Sequence, residues 1–262
     1  MAKAKVITVA NQKGGVAKTT TAQALGAGLK DRGSKVLVVD ADPQGNLSSS
    51  INAEIYDRET IYDAMIKKAD VKKVIQKLDA FDIVPANIIL SGIEHKLLAE
   101  PGREFRLDET VIAPASGLYD YIIIDTPPTL GILTMNAIMA ADEIIIPTTA
   151  SIFAAAGIEQ LKLFADSIVP YRRRGNLKYN GILVTKYNPR TTISKELKKF
   201  TEDLSKLVGT KVYETFIRFS VAVEEAQVQK VDIYTYGNNN VEADYNKFVE
   251  EFLKGEENHA EK

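Results

Sequence analysis

Four short runs constrain this chain more than anything else in it: residues 6–10 (VITVA), 36–40 (VLVVD), 121–125 (YIIID) and 144–147 (IIIP). Each is apolar nearly throughout instead of alternating, the pattern of strands buried on both faces of a parallel sheet. Segments with helical periodicity lie between and after them, at 20–30, 130–140 and 157–169, and a further strand at 181–185 precedes a helix at 194–207. Strands alternating with helices predict an α/β fold, a doubly wound, mostly parallel β-sheet flanked by helices on both faces. With 262 residues, 45% of them hydrophobic, the chain can bury one good core. It has no linker-like or repetitive stretch, so the expectation is one compact domain over 1–254 and a polar tail at 255–262.

Right-handed crossovers put the C-terminal ends of the parallel strands on one edge of the sheet, where ligands bind. Three polar loops leave strands there: NQKGGVAKTT (11–20), DADPQGN (40–46) and DTPPT (125–129). In the first, Gly14 and Gly15 permit a tight turn, and the amides that follow can point inward at an anion, aided by the dipole of the next helix. Phosphate contacts are therefore expected from Gly14, Gly15, Val16, Ala17, Lys18, Thr19 and Thr20. Lys18 would reach the outer phosphates of a nucleoside triphosphate, and the Thr19 hydroxyl would ligate Mg2+. Asp125, after four apolar residues, is the acid expected to hold the magnesium's water shell. The loop departs from the usual phosphate-loop pattern, G-x-x-x-x-G-K-[ST], at Gln12 and Ala17, where glycine is normal. Taken alone, Gly-Gly before Lys-Thr would serve equally as an ordinary strand-to-helix turn. The strand before it, the helix after it and the second strand ending in Asp125 favour the nucleotide reading.

Composition removes other classes. A net charge of −2 means that nucleic acid or an acidic membrane would have to be met by a local patch. Zero cysteines exclude disulfides, thiolate zinc sites and cysteine-held iron–sulfur clusters. The first residues hold too short an apolar run for a signal peptide, and no stretch is long enough to span a bilayer, so a cytoplasmic protein is the simplest expectation.

KGGVAKTT (13–20) resembles the deviant Walker A box, KGGxxKT, of the ParA/MinD group of ATPases, a pattern that tolerates Ala17. VLVVDADPQGN (36–46), the stretch 119–150 and NGILVTKYNPRTTISKEL (180–197) are similar, in order, to further motifs of the ParA-type partition proteins, the chromosomal Soj-like branch and its plasmid relatives. The likeness runs from about Lys5 to Phe252, dense to Leu197 and thinner after it. It implies an ATPase using ATP and Mg2+ that forms a homodimer on ATP binding, in which Lys13 of one protomer reaches the phosphates bound to the other. Such an in-trans cation does what an arginine finger does elsewhere; the plain alternative for Lys13 is a solvated loop lysine. The resemblance further implies that Asp42 orients the attacking water and that Asp40 lies near the metal shell. It also implies binding to non-specific DNA, stimulation by a ParB-like partner, and association with the nucleoid.

The departures from the branch cluster late. Arg218 stands where a proline is usual, Ala222 where an arginine is common, and the uncharged YGNNN (236–240) replaces a basic segment. Arg190, which matches an arginine of the family's loop, is the leading candidate for DNA contact, with Lys195 and Arg218 behind it and the run Arg172 to Arg174 as another possibility. A membrane-positioning relative would need a basic amphipathic C-terminal helix, and 241–262 is acidic. A relative of the nitrogenase iron protein would need cysteines. The remaining alternative is a nucleotide-gated scaffold, regulatory or cargo-positioning, with little turnover; Asp42 and Lys13 weigh against it, since binding alone needs neither.

Overall fold

The computed structural model describes residues 3–151, 154–188, 193–237 and 240–260. Seven strands, β1 (Lys5–Val9), β2 (Val36–Asp40), β3 (Gln76–Lys77), β4 (Asp82–Val84), β5 (Tyr121–Asp125), β6 (Glu143–Thr149) and β7 (Lys178–Thr185), form one sheet. Their order is β3-β4-β2-β5-β1-β6-β7, and only the β3–β4 pairing is antiparallel. The five strands expected from the sequence are all there. The two it did not announce, β3 and β4, are short and begin with polar residues.

Successive residues of each strand feed opposite layers, which is why the runs had to be apolar throughout. Ile7, Val9, Val36, Val38, Ile123 and Ile145 pack on Leu25 and Leu29 of the helix Lys18–Asp31 and on Phe248 and Phe252 of the helix Asn240–Ala260. On the other face, Val6, Leu37, Val39, Ile122 and Ile124 meet Ile61 and Met65 of the helix Ile61–Lys67 and Leu133 and Ala137 of the helix Ile132–Ala140. Ile144, Ile146 and Ile182 extend that layer onto Ile158 and Leu161 of the helix Ala154–Ile168 and Leu204 of the helix Ile193–Val208. Each fully buried aliphatic side chain contributes about 1.5–3 kcal/mol, so this double-sided burial fixes the order and register of the strands that carry the site.

Two expectations change here. The last helix runs to Ala260, so residues 255–260 continue it instead of forming a loose polar tail; Glu256 forms an ion pair with Lys5 at the start of β1, which anchors the final turns. The arginine run is not a free basic patch. Arg172 donates to the Ala141 carbonyl, and Arg173 pairs with Glu109 at 2.7 Å while covering the Phe105 ring. Arg174, nearly buried, binds Asp108 at 3.0 Å and Asp142 at 3.3 Å. These groups sit where β6 and β7 begin, at the edge of the sheet opposite the strand ends, and they clamp that edge.

Candidate functional site

Parallel pairing aligns Val9 of β1 with Asp125 of β5, and Asp125 with Asp40 of β2, so the three polar loops leave the sheet at one level. The loop after β1 is held from neighbouring strand ends. Asn11 Nδ2 donates to the Pro147 carbonyl at 2.8 Å while its Oδ1 accepts from the Lys13 N–H at 2.9 Å. The Thr185 hydroxyl donates to the Val16 carbonyl at 3.0 Å, and the Thr126 hydroxyl to the Val9 carbonyl at 2.9 Å. Gly15 takes a positive φ of 73°, and Ala17 is also left-handed, at φ 62° and ψ 34°. That geometry explains why glycine is usual at position 17; alanine there costs about 1–2 kcal/mol. What the contortion yields is a row of donors: no backbone N–H from Gly14 to Thr20 donates to another described residue. Buried amides are nearly always paired, so an open row at a helix start is an anion cradle. Lys18 lies buried beside it with Nζ donating to the Lys13 carbonyl at 3.1 Å. Burial lowers its pKa, and the charges of Asp125 and Asp42 push it back up.

The three acids have different surroundings. Asp40 is fully buried and accepts from Ser48 N–H at 2.9 Å, the Ser48 hydroxyl at 2.7 Å and Asp42 N–H at 3.1 Å; Ser48 Oγ in turn accepts from Ala86 N–H at 3.0 Å. Desolvation pushes Asp40 up to about 6 against those hydrogen bonds. With both oxygens engaged, Asp40 anchors the loop carrying Asp42, and it lies level with Asp125, whose charge it feels. Asp42 is 7% exposed, and its Oδ1 accepts from Gln44 N–H at 2.9 Å, which orients the carboxylate at the cavity wall. Asp125 is the opposite case: both of its carboxylate oxygens are buried and neither has a hydrogen-bond partner. Burial first, then the charge of Asp40, raises its pKa well above the usual carboxylate range, partly offset by the neighbouring Thr19 hydroxyl and Lys18 ammonium. Unpaired buried carboxylates are costly and rare. This one fits a hydrated cation held mainly by Thr19 and by ligand oxygens, since among the described residues no cluster of three or more acidic, histidine or cysteine side chains would hold a metal alone.

From the cradle a cavity of about 590 Å³ extends along Asp42, Lys186, Ile217, Arg218, Val223 and Tyr245. The expected phosphate residues Gly14, Gly15, Ala17, Lys18, Thr19 and Thr20 line its floor, whereas Val16 is packed beneath it. Lys13 lies at the side, its Nζ bonded to the Ser151 hydroxyl at 2.9 Å and within 3.5 Å of the Thr149 hydroxyl of its own chain. Among the DNA candidates, Arg190 and the Lys195 side chain lie outside the described residues. Arg218 is in the cavity wall with its guanidinium spent on Asp244, which corrects its reading as a free cation for DNA. Ser48 and Asp244 were not singled out from sequence; neither belongs to a motif, and only the buried carboxylate or guanidinium each one serves gives it a function.

An anion cradle at a strand–helix junction, a buried lysine and two acids on adjacent strand ends define a P-loop ATPase of the deviant Walker A kind. A family model described as an AAA domain matches residues 4–178. The sporulation initiation inhibitor protein Soj of Bacillus subtilis is 39% identical, with 88% of this chain and 91% of that protein covered. The chromosome partitioning protein ParA of Caulobacter vibrioides is 38% identical over 85% of this chain and 83% of its own. Among solved structures, the cobyrinic acid a,c-diamide synthase of Mycobacterium smegmatis with bound ATP analog and magnesium is 31% identical, with a TM-score of 0.81 and coverage of 96% and 94%. The chain belongs to the ParA/Soj family of partitioning ATPases.

Proposed function

We propose that this chain is a partition ATPase that binds and hydrolyses ATP with Mg2+, pairs into an ATP-dependent sandwich dimer, and in that state binds DNA without sequence preference. The observation that carries the nucleotide half of this reading is a pair of opposites at one strand edge: open backbone donors in the loop Gly14 to Thr20, which lines the cavity, and beneath it the carboxylate of Asp125, buried beside Thr19 and Lys18. The donors fit phosphate oxygens, and the acid fits the water shell of the cation that phosphates bring. The curated relatives named for chromosome partitioning and the neighbour solved with an ATP analog and magnesium support the rest.

The amides and Lys18 bind the β- and γ-phosphates, and the Thr19 hydroxyl and Asp125 would hold Mg2+. Mg2+, when bound, neutralises charge on the phosphate oxygens. Asp42 orients a water for in-line attack on the γ-phosphorus; the bond to the β,γ-bridging oxygen breaks, giving ADP and phosphate. Lys13 leaves Ser151 and Thr149 to serve the phosphates of a second copy, countering charge as it develops. Hydrolysis then ends the dimer and its DNA binding, and a ParB-like partner accelerates that step in the cytoplasm, on the nucleoid. The test is ATP turnover and capture of random-sequence duplex with ATP, ADP or no nucleotide, at two salt concentrations. Asp42→Ala should abolish turnover while preserving ATP-dependent DNA capture, and Lys13→Ala should lose both. Full turnover in Asp42→Ala under saturating partner would refute its assigned role. An ATP-dependent dimer that never captures DNA would favour a scaffold that positions protein cargo.

A further inference from the structure

Asp42 sits on a loop whose two ends are tied to a single carboxylate. At the strand end, Asp40 Oδ1 accepts from the Asp42 N–H at 3.1 Å, and the Ala41 N–H donates to the Asp125 carbonyl at 2.9 Å. Further along the loop, Ser48 donates to Asp40 Oδ2 twice, from its N–H at 2.9 Å and from its hydroxyl at 2.7 Å. Between those ties the Gly45 N–H donates to the Asp42 carbonyl and the Gln44 N–H to Asp42 Oδ1, each at 2.9 Å, so the chain turns back tightly with the Asp42 carboxylate at the cavity wall. Ser48 Oγ also accepts from the Ala86 N–H at 3.0 Å, just past the end of β4. The two loops press together there, since a Cβ on Gly45 would lie 2.8 Å from the Ala86 carbonyl oxygen. Ser48 is fully buried, as are Asp40 and Ala86, and unlike its neighbours Ser49 and Ser50 it does not line the cavity. A hydroxyl can donate and accept at one atom, which is what these two buried partners require of it.

We infer that Ser48 is the positioning residue for the Asp42 carboxylate: its hydroxyl locks the Asp42 loop both to the end of β2 and to the loop after β4, and so sets the direction from which Asp42 holds the attacking water. The assignment rests on the catalytic reading above and adds to it the side chain that aims the acid. Aim matters because the water must approach the γ-phosphorus in line, and a displacement of about 1 Å caused far from the chemistry can slow a reaction about 100-fold. Without the hydroxyl, the buried Ala86 N–H loses this acceptor and Asp40 Oδ2 loses one of its donors, so the loop shifts to recover partners. The phosphate cradle belongs to another loop, between β1 and the helix Lys18–Asp31, and is held by Asn11, Thr126 and Thr185 instead. Loss of Ser48 therefore separates turnover from nucleotide binding.

The experiment compares the full chain with Ser48→Ala, Ser48→Cys and Ser48→Thr by equilibrium binding of Mg·ATP and by ADP formed in a single turnover with protein in excess, which keeps binding and chemistry apart. Ser48→Ala should bind Mg·ATP within about 3-fold of the parent and form ADP about 10- to 100-fold more slowly. Ser48→Thr keeps the hydroxyl and should restore the rate to within about 3-fold. Ser48→Cys, of similar shape but a weaker donor and acceptor, should fall between, and it carries the comparison if the alanine variant does not fold. A rate within about 3-fold of the parent in Ser48→Ala, or in Ser48→Cys standing in for it, would overturn the inference. So would affinity lost in step with rate, or a Ser48→Thr variant that melts like the parent yet turns over like Ser48→Ala, since either makes Ser48 a structural link alone. A parent that fails to bind or to cleave Mg·ATP would overturn the catalytic reading itself, an outcome distinct from any difference among the variants.

Discussion

Asp125→Ala tests whether the centre of the site is built for its ligand at the expense of the empty fold. The carboxylate ends a strand in the middle of the sheet, is fully buried, and feels its burial and the like charges of Asp40 and Asp42 more strongly than the Thr19 hydroxyl and Lys18 ammonium that partly offset them. A buried polar group without a partner costs about 1–3 kcal/mol. Replacing it with alanine also leaves a small cavity, worth under about 1 kcal/mol at ~24 cal/mol per Å³. The balance predicts that the ligand-free variant gains about 1–2 kcal/mol, a rise in melting temperature of roughly 2–6 °C for a chain this size. The pH dependence follows from the same groups. Asp125 and Asp40 have folded-state pKa values raised above those of an unfolded carboxyl, Asp40 to about 6. Below about pH 4 both states hold the proton; above it the unfolded chain loses the proton first, so the ligand-free parent loses stability as pH rises through 4 to 6 and beyond. In Asp125→Ala that decline should be shallower. Thermal melts monitored by circular dichroism at pH 5 and pH 8, with and without Mg·ATP, read all three effects. The parent should gain melting temperature with Mg·ATP by mass action, and the variant should gain much less. A ligand-free variant that melts below the parent at both pH values would refute the reasoning, because it would make Asp125 an internal structural acceptor.

Two further substitutions probe the loops around it. Gly45 has φ 61°, and a Cβ there would lie 2.8 Å from the Ala86 carbonyl oxygen, so Gly45→Ala should destabilise by about 2 kcal/mol or more and slow turnover by shifting the Asp42 loop. Denaturant unfolding beside an ATPase assay measures both, and an unchanged midpoint would contradict the close approach. Ala17→Gly removes the left-handed strain at φ 62° but gives the unfolded chain more freedom, so the net gain should be at most about 1 kcal/mol, read from the same unfolding curve. A loss of stability there would mean that the alanine methyl contributes packing that outweighs its strain.

Most of the frame was legible because local sequence and global burial agree. VLVVD and YIIID read as doubly buried strands, and the acids at their ends mark the functional edge. The boundaries of the long helices shift by only a few residues: the helix expected at 157–169 is Ala154–Ile168, and that expected at 130–140 is Ile132–Ala140. What could not be read was pairing between residues far apart in sequence. Arg172 to Arg174 looked like a basic patch because Asp108, Glu109 and Asp142, which absorb the charges of Arg173 and Arg174, are 32 or more positions away. Arg218 shares that fate with Asp244, 26 positions on. The hold that a serine eight residues later has on Asp40, through two hydrogen bonds to one oxygen, was equally invisible in sequence. The segment between β2 and β5 shows no clear periodicity in sequence because its helices are short and β4 spans only three residues.

The register that levels Val9, Asp40 and Asp125 makes the sheet a ruler for the chemistry. One residue inserted within β5 would turn Asp125 from the cradle toward a packing layer and at the same time turn its isoleucines outward into the wrong ones, so the error would strike folding and activity together. The same residue inserted at an exposed position between β2 and β5, such as the turn around Tyr56, would leave every ladder intact. Descendants of this sequence are therefore free to change length and partners in that connection while the three strands keep their count.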